Sequence, residues 1–495
     1  MRAKAVDAFS RAAGAAAVSV MASLLEADPS PLVRERAALA IGILGATEGG
    51  EAVIAATRRA EPVNVRATAT LAAGWFEGQN IVERVREMPD EAAARDFLRE
   101  RLECDSRFRL LARRLSRAHN LELRALTSRS DAESQAVLSQ STRSTLAAGD
   151  RVRLIGSLRS FQGAQSQEAL LRMVREDPAP EVRTVALGAL GDVLEEDELL
   201  ATATRALGDP NVLVRRAGVA LFAKASPVRA APTLVEALRL DDDPAVLASA
   251  AAVLEQHFDQ FFETALSVDE EPDRAVLVLR IVRHMAHPDL ASLPPHFARN
   301  ASPDVRIAVA DLWRNRPDIA DPAGLEGLTL DPEVTIRCNA AGAAVAAERY
   351  DLLQAMTQDP DSSVRHEVAI ALAGAQPLRP AGLTTLETLA ADRDMAVRAA
   401  AYVAHLLQGI GLSLPPELDT RLAAETLRQA GDLAELRRTA RTSPSEERRL
   451  AAGLGLALLQ DDVARDVARS DPAPSIRHRV SGALELAVAS DAGSQ

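Results

Sequence analysis

Aromatic residues make up only 3% of this 495-residue chain, cysteine occurs twice, and lysine stands only at Lys4 and Lys224. Each scarcity excludes something. Sheets are built on β-branched and aromatic residues, so a chain this poor in rings is no β-sandwich or barrel. Cys104 and Cys338 lie 234 positions apart, which gives neither a disulfide framework nor a zinc pattern. As small apolar residues, both are expected in the core. No segment approaches the roughly 18 uninterrupted apolar residues of a membrane span. The nearest, residues 12–25, is diluted by Gly14, Ser19 and Ser23 and approached through Asp7 and Arg11. It reads as a helix of the fold rather than a signal peptide. The expectation is a soluble, cytoplasmic protein. There is no Gly-rich phosphate loop, no HExxH and no CxxC, so no catalytic, cofactor-binding or metal-binding residue is assigned.

What is abundant is just as directive. Hydrophobic residues reach 47%, much of it alanine, the strongest helix former, and the chain reads as all-α. Lys plus Arg number 57 against 70 Asp plus Glu, a net charge of -13. That balance makes nucleic acid an unlikely partner, because a phosphate backbone requires a contiguous basic stripe. The replacement of nearly all lysine by arginine points to a GC-rich, bacterial coding sequence.

One phrase recurs along the chain: Asp-Pro, a few residues, Val-Arg, then an Ala/Leu/Gly run. Asp and Arg stand six apart in Asp28/Arg34, Asp177/Arg183, Asp209/Arg215, Asp331/Arg337, Asp359/Arg365, Asp392/Arg398 and Asp471/Arg477. Degenerate copies centre on Arg66, Arg153 and Arg306, and a further copy puts Leu247 where Arg belongs. The period near 31 residues holds two short helices and two turns. Asp before Pro is a helix start, with Asp capping free N–H groups and Pro at the first helical position. The run after Val-Arg then lines up Val182, Ala186 and Leu190 on one stripe. A single pair of such helices cannot bury its apolar face alone, so the repeats must stack.

The phrase DPxxxVRxxAxxALG resembles the HEAT repeat, in particular the short bacterial form called the PBS-lyase HEAT-like repeat. The resemblance implies a right-handed α-solenoid of about 14 antiparallel helix pairs. It also implies that the Asp and Arg residues, with Arg66, Arg153 and Arg306, form a polar ladder between successive repeats. The ladder should break at Leu247. By the same phrase the chain divides into N-terminal repeats at 1–80, a degenerate or inserted helical segment at 81–150, central repeats at 151–410, degenerate and capping repeats at 411–489, and a frayed tail at 490–495.

Three constellations stand outside the pattern. His284, His287 and His296, with Asp289 nearby and His257 one repeat earlier, are the most suggestive metal-like cluster, although Pro288 interrupts the helix that would align them. Phe258, Phe261, Phe262, Phe297 and Trp313 gather much of the scarce aromatic content, as core or as a pocket lining. Ten arginines between Arg95 and Arg129 face five acidic residues, as a solvated helical face or as a docking surface for an acidic partner. The leading functional expectation is a non-catalytic scaffold or adaptor that binds a protein partner. The family resemblance offers two alternatives, a bilin lyase-like chromophore-handling protein and a HEAT-like nucleic-acid-binding protein or DNA glycosylase. No bilin site is marked in the sequence, and the net acidity opposes the second.

Overall fold

The computed structural model describes all residues except 59, 77–79, 129, 142–145, 162, 376–377, 413–414, 416 and 493–495. The described residues form helices and turns, with no strand among them. They divide into two compact units. Unit 1 holds residues 1–237 and 242–253, and unit 2 holds 238–241 and 254–495.

Unit 1 opens with α1 (Arg2–Ala13), α2 (Val18–Ala27), α3 (Pro31–Leu44), α4 (Gly50–Arg58) and α5 (Val63–Ala73). The off-pattern segment contributes α6 (Ile81–Arg86), α7 (Glu91–Cys104), α8 (Ser106–Arg114), α9 (Arg117–Leu126) and α10 (Asp131–Ser141). Regular pairs resume with α11 (Ala148–Ser160), α12 (Ala164–Glu176), α13 (Pro180–Leu190), α14 (Glu196–Ala206), α15 (Val212–Phe222), α16 (Pro227–Ala237) and α17 (Pro244–Glu255). The helices that begin with Val-Arg form one layer, in which α3 packs on α5, α11 on α13 and α13 on α15. Their partners form the other, with α2 on α4, α10 on α12 and α14 on α16. This is the α-solenoid arrangement: each helix contacts its own pair and the equivalent helices on either side.

Unit 2 repeats it with α18 (Phe258–Ser267), α19 (Pro272–Val282), α20 (Pro294–Phe297), α21 (Pro303–Asn315), α22 (Pro322–Thr329) and α23 (Val334–Ala346). There follow α24 (Tyr350–Met356), α25 (Ser362–Ala373), α26 (Pro380–Ala390) and α27 (Met395–Leu407). The last are α28 (Thr420–Ala430), α29 (Leu433–Thr442), α30 (Glu446–Leu458), α31 (Asp462–Ser470) and α32 (Pro474–Ala492). Here α19, α21, α23, α25 and α27 pack in series, and α30 packs on α32. The tail expected to fray from residue 490 is helical through Ala492.

Small residues set how closely the helices approach. At Gly42 a Cβ would lie 2.7 Å from the Ala72 Cβ and 3.0 Å from Leu111 Cδ1, so α3, α5 and α8 converge on a point where only hydrogen fits. Gly45 then ends α3 in the left-handed conformation, φ 66°. Phe108, Phe161, Phe222, Phe261, Phe297 and Trp313 are fully buried and fill cores, whereas Phe9 and Trp75 are exposed.

Two expectations need correction. Cys104 is exposed at the end of α7 rather than in the core, because α7 turns its Ala94–Leu98 stripe inward and its last turn outward. Cys338 is only half-buried. The helical stretch Arg2–Ala27, despite Lys4, Asp7 and Arg11, reaches a mean hydropathy of 1.4 and is long and apolar enough to cross a membrane. Its Val18, Met21 and Leu25 are nevertheless buried, and α2 packs on α3 and α4.

Candidate functional site

The most regular polar feature is the ladder, and its geometry differs from a simple pairing of Asp and Arg within one repeat. In each copy the Arg uses Nη1 on the backbone carbonyl of its own repeat's Asp: Arg183 to Asp177 at 2.8 Å, Arg337 to Asp331 at 2.8 Å, Arg365 to Asp359 at 2.7 Å, Arg398 to Asp392 at 2.8 Å. In the copies of Arg183, Arg306, Arg337 and Arg365 the Nε/Nη2 edge then grips the carboxylate of the next repeat in bidentate fashion. Arg183 holds Asp209 at 2.7 and 2.8 Å, Arg306 holds Asp331 at 2.7 and 3.1 Å, and Arg365 holds Asp392 at 2.7 and 3.0 Å. The same carboxylate accepts the N–H two residues on, as Asp209 does from Asn211 at 2.8 Å and Asp392 from Asp394 at 2.8 Å.

The Asp is therefore not the helix cap. It closes a turn before the helix, as in the copy where Asp177 accepts from Ala179 and the helix begins at Pro180. One carboxylate thus satisfies a turn and a neighbouring repeat at once, in a site too dry to leave either charge alone. Burial pushes these carboxyls up, but the guanidinium and N–H bonds outweigh it and hold Asp209, Asp392 and Asp471 below the usual carboxylate range.

Several rungs differ from the sequence reading. In the degenerate copy the ladder residue is Arg151, at 2.7 Å to both Asp177 oxygens, and not Arg153. The reason is register. After Arg183 the buried positions are Ala186, Leu187, Ala189 and Leu190; after Arg151 they are Leu154, Ile155, Ser157 and Leu158, at the same steps. The Val-Arg dipeptide at 152–153 misleads, while the apolar spacing tells the truth. Arg449 was hidden for a similar reason: it binds Asp471 at 2.9 and 3.4 Å, but Ser443 stands where its Asp would be. Arg34 finds Glu61 at 2.9 Å, and Arg66 pairs with Asp90. The break at Leu247 is real. Leu247 is buried and offers no guanidinium to the following repeat.

The histidine cluster does not assemble. His287 stacks on Phe258 with centroids 3.7 Å apart, while His296 lies 3.6 Å from Asp269. Burial lowers the affinity of His284 for a proton. Among the described residues no three His, Cys, Asp or Glu side chains converge on a point. Phe258, Phe261, Phe297 and Trp313 are buried and Phe262 is half-buried, so this group is core.

The arginine-rich segment holds the chain to itself. Arg95 and Arg99 donate to the carbonyls of Leu126 and Thr127 at 2.9 and 3.1 Å, where the C-terminal end of α9 attracts cations. Arg109 does the same for α7 through Glu103 at 2.6 Å, and Arg114 reaches the Ile43 carbonyl on α3. Arg107 binds Asp105 at 2.8 Å and also pairs with Asp7, and Arg101 lies 3.7 Å from buried Glu35. The α7–α8 hairpin is thereby pinned over α3 and α5. Arg109, Arg113, Arg114 and Arg124 are exposed on the surface; the side chain of Arg117 and the whole of Arg129 lie outside the described residues. Beside the hairpin, α1, α3, α7 and α8 border a cleft of about 660 Å³ lined by Leu39, Ile43, Leu110, Arg101 and Cys104.

One polar group was not foreseen. Glu122 of α9 is fully buried, accepting from Ser157 Oγ of α11 at 3.0 Å and from the Ile81 N–H of α6 at 3.2 Å. One turn earlier, His119 contacts Arg153 at 2.6 Å and Ser116 at 3.0 Å. Nothing in a lone Glu amid a helical run distinguishes it from a surface residue.

This geometry is that of an α-solenoid of stacked helix pairs, and part of the chain matches a known repeat family. Residues 149–255 match the family described as HEAT repeats. No curated protein matches the sequence. Among solved structures, Kap121p aligns over 89% of this chain and 53% of its own at 11% identity and a TM-score of 0.38. Kap121p bound to RanGTP aligns over 95% and 52% at 12% identity and a TM-score of 0.31. Importin Beta gives 94% and 72% at 12% identity and a TM-score of 0.26. The chain spans about half the length of the Kap121p chains it matches.

Proposed function

We propose that this chain is a non-catalytic scaffold or adaptor that binds a protein partner along its solenoid surface. Its repeats resemble the short PBS-lyase HEAT-like form, and the near absence of lysine supports a bacterial origin; its place of work is the cytoplasm. The observation that carries the reading is the fate of the polar groups. The best-ordered charges, Arg183–Asp209 through Arg449–Asp471, tie repeats together, and the arginines around the α7–α8 hairpin cap carbonyls. Cys338, whose thiol is pushed up to about 11 by burial and neighbouring carboxylates, is no activated nucleophile. What the stack does offer is a long row of equivalent helix faces, the kind of surface that engages macromolecules without a reacting centre.

The test is affinity capture by the intact chain from its host's lysate, with cross-linking and mass spectrometry. One recurrent protein cross-linked to several consecutive repeats is the expected result. Duplex DNA retained with a steep salt dependence, or a shifted absorbance spectrum on adding a bilin, would replace the reading with one of its alternatives.

A further inference from the structure

The ladder is interrupted between Asp90 and Arg151, and there unit 1 is joined by different chemistry. Helices α6, α9 and α11 pack mutually at this junction. At its centre Glu122 has no exposed surface and accepts only two hydrogen bonds, from Ser157 and the Ile81 N–H. Every ladder carboxylate of comparable burial has a guanidinium fork; Glu122 has none. Arg153, whose charge acts on Glu122 without a hydrogen bond to it, directs Nη1 to His119, and Asn80 ties its backbone carbonyl to the start of α6 at 3.2 Å. A carboxylate buried among neutral donors carries the full desolvation cost when ionised, whereas its acid form does not.

We propose that Glu122 is a proton-controlled latch, which fastens α6 and α11 to α9 when protonated and loosens them when ionised. From α11, Arg153 favours the charge and Asp150 opposes it. On its own helix His119 is held between Arg153 and Ser116. On α6, Glu83 is the remaining carboxylate near the α11 contact, its Oε2 4.0 Å from where a Gly156 Cβ would be. From α10, Asp131 is neutralised by Arg86 and Arg95. None of these supplies a direct counter-ion, and burial raises the Glu122 carboxyl to about 7. Because the folded junction holds this proton more tightly than the open one, its contribution is complete below pH 4.5 and is lost as pH rises through about 7.

Hydrogen exchange of the full chain reads this directly, with peptides spanning 80–86 and 148–160 compared with an internal reference in α25. After correction for intrinsic rates, local opening should increase about tenfold between pH 6.0 and 8.5, from those two proton affinities. Glu122→Gln, which keeps the acceptor and cannot ionise, should abolish the increase. Ser157→Ala, which removes a bond to the charged form, should move the midpoint upward. A pH response that persists in Glu122→Gln would assign the effect to another group, His119 first, and overturn the latch. If that variant fails to fold, an unmoved midpoint in Ser157→Ala would overturn it equally.

Discussion

Removing a single ladder arginine should cost far more than removing a surface charge, and Arg365 is the place to measure it. Its side chain is 4% exposed, and that of its partner Asp392 is 8% exposed. Arg365→Ala deletes the two bonds to Asp392 at 2.7 and 3.0 Å and the bond to the Asp359 carbonyl at 2.7 Å. Asp392 then keeps only the Asp394 N–H, a buried anion with one donor. Breaking a buried pair from one side typically costs about 3–5 kcal/mol. The double variant Arg365→Leu/Asp392→Asn tests whether the charge or the contact matters. Asn retains an acceptor for the Asp394 N–H, and leucine already occupies the ladder position at Leu247, where it is buried. It should recover most of the loss, leaving about 1 kcal/mol or less, because a buried ion pair and its apolar replacement are of similar stability. In a stacked-repeat protein one global melting curve conceals local effects. Exchange protection in peptides from α25 and α27, alongside urea unfolding followed by circular dichroism, resolves them. A loss under about 1 kcal/mol in Arg365→Ala, the range of exposed pairs, would refute the reasoning. So would a double variant no more stable than the single.

Two further outcomes follow from the same contacts. Asp209, Asp392 and Asp471 are held below the ordinary carboxylate range by their arginine and N–H partners, which outweigh burial. Their contribution is complete above about pH 3.8 and is lost as pH falls through their lower folded values, so helix content should hold to about pH 4 and collapse below it in an acid titration. Thiol labelling should also separate the two cysteines. Cys104, exposed beside the α1–α8 cleft, should react with a maleimide at the rate of a free thiol at pH 7, and Cys338 many-fold more slowly, since its thiol is both half-buried and pushed up to about 11. Equal rates would contradict the burial assigned to α23.

The sequence by itself determined the helices, the repeat and the residues of the ladder wherever Asp and Arg are both present. A period of two helices, Ala-rich stripes and an Asp six residues before an Arg are local patterns, and local patterns are what a linear text preserves. The family resemblance placed the ladder between successive repeats, but the spacing alone could not say that the carboxylate belongs to the preceding repeat's Arg, because that choice depends on how one pair stacks upon another. Nor could it place Arg151 over Arg153 until the buried steps at Leu154, Ile155 and Leu158 set the register. Tertiary structure alone decided that Arg95, Arg99, Arg109 and Arg114 of the off-pattern segment donate to carbonyls, that Cys104 is exposed, and that the histidines part company around Phe258 and Asp269. It alone decided that Glu122 is buried without a counter-ion. Burial of a charge is a property of what surrounds it, and the groups surrounding Glu122 come from helices 41 residues before it and 35 after.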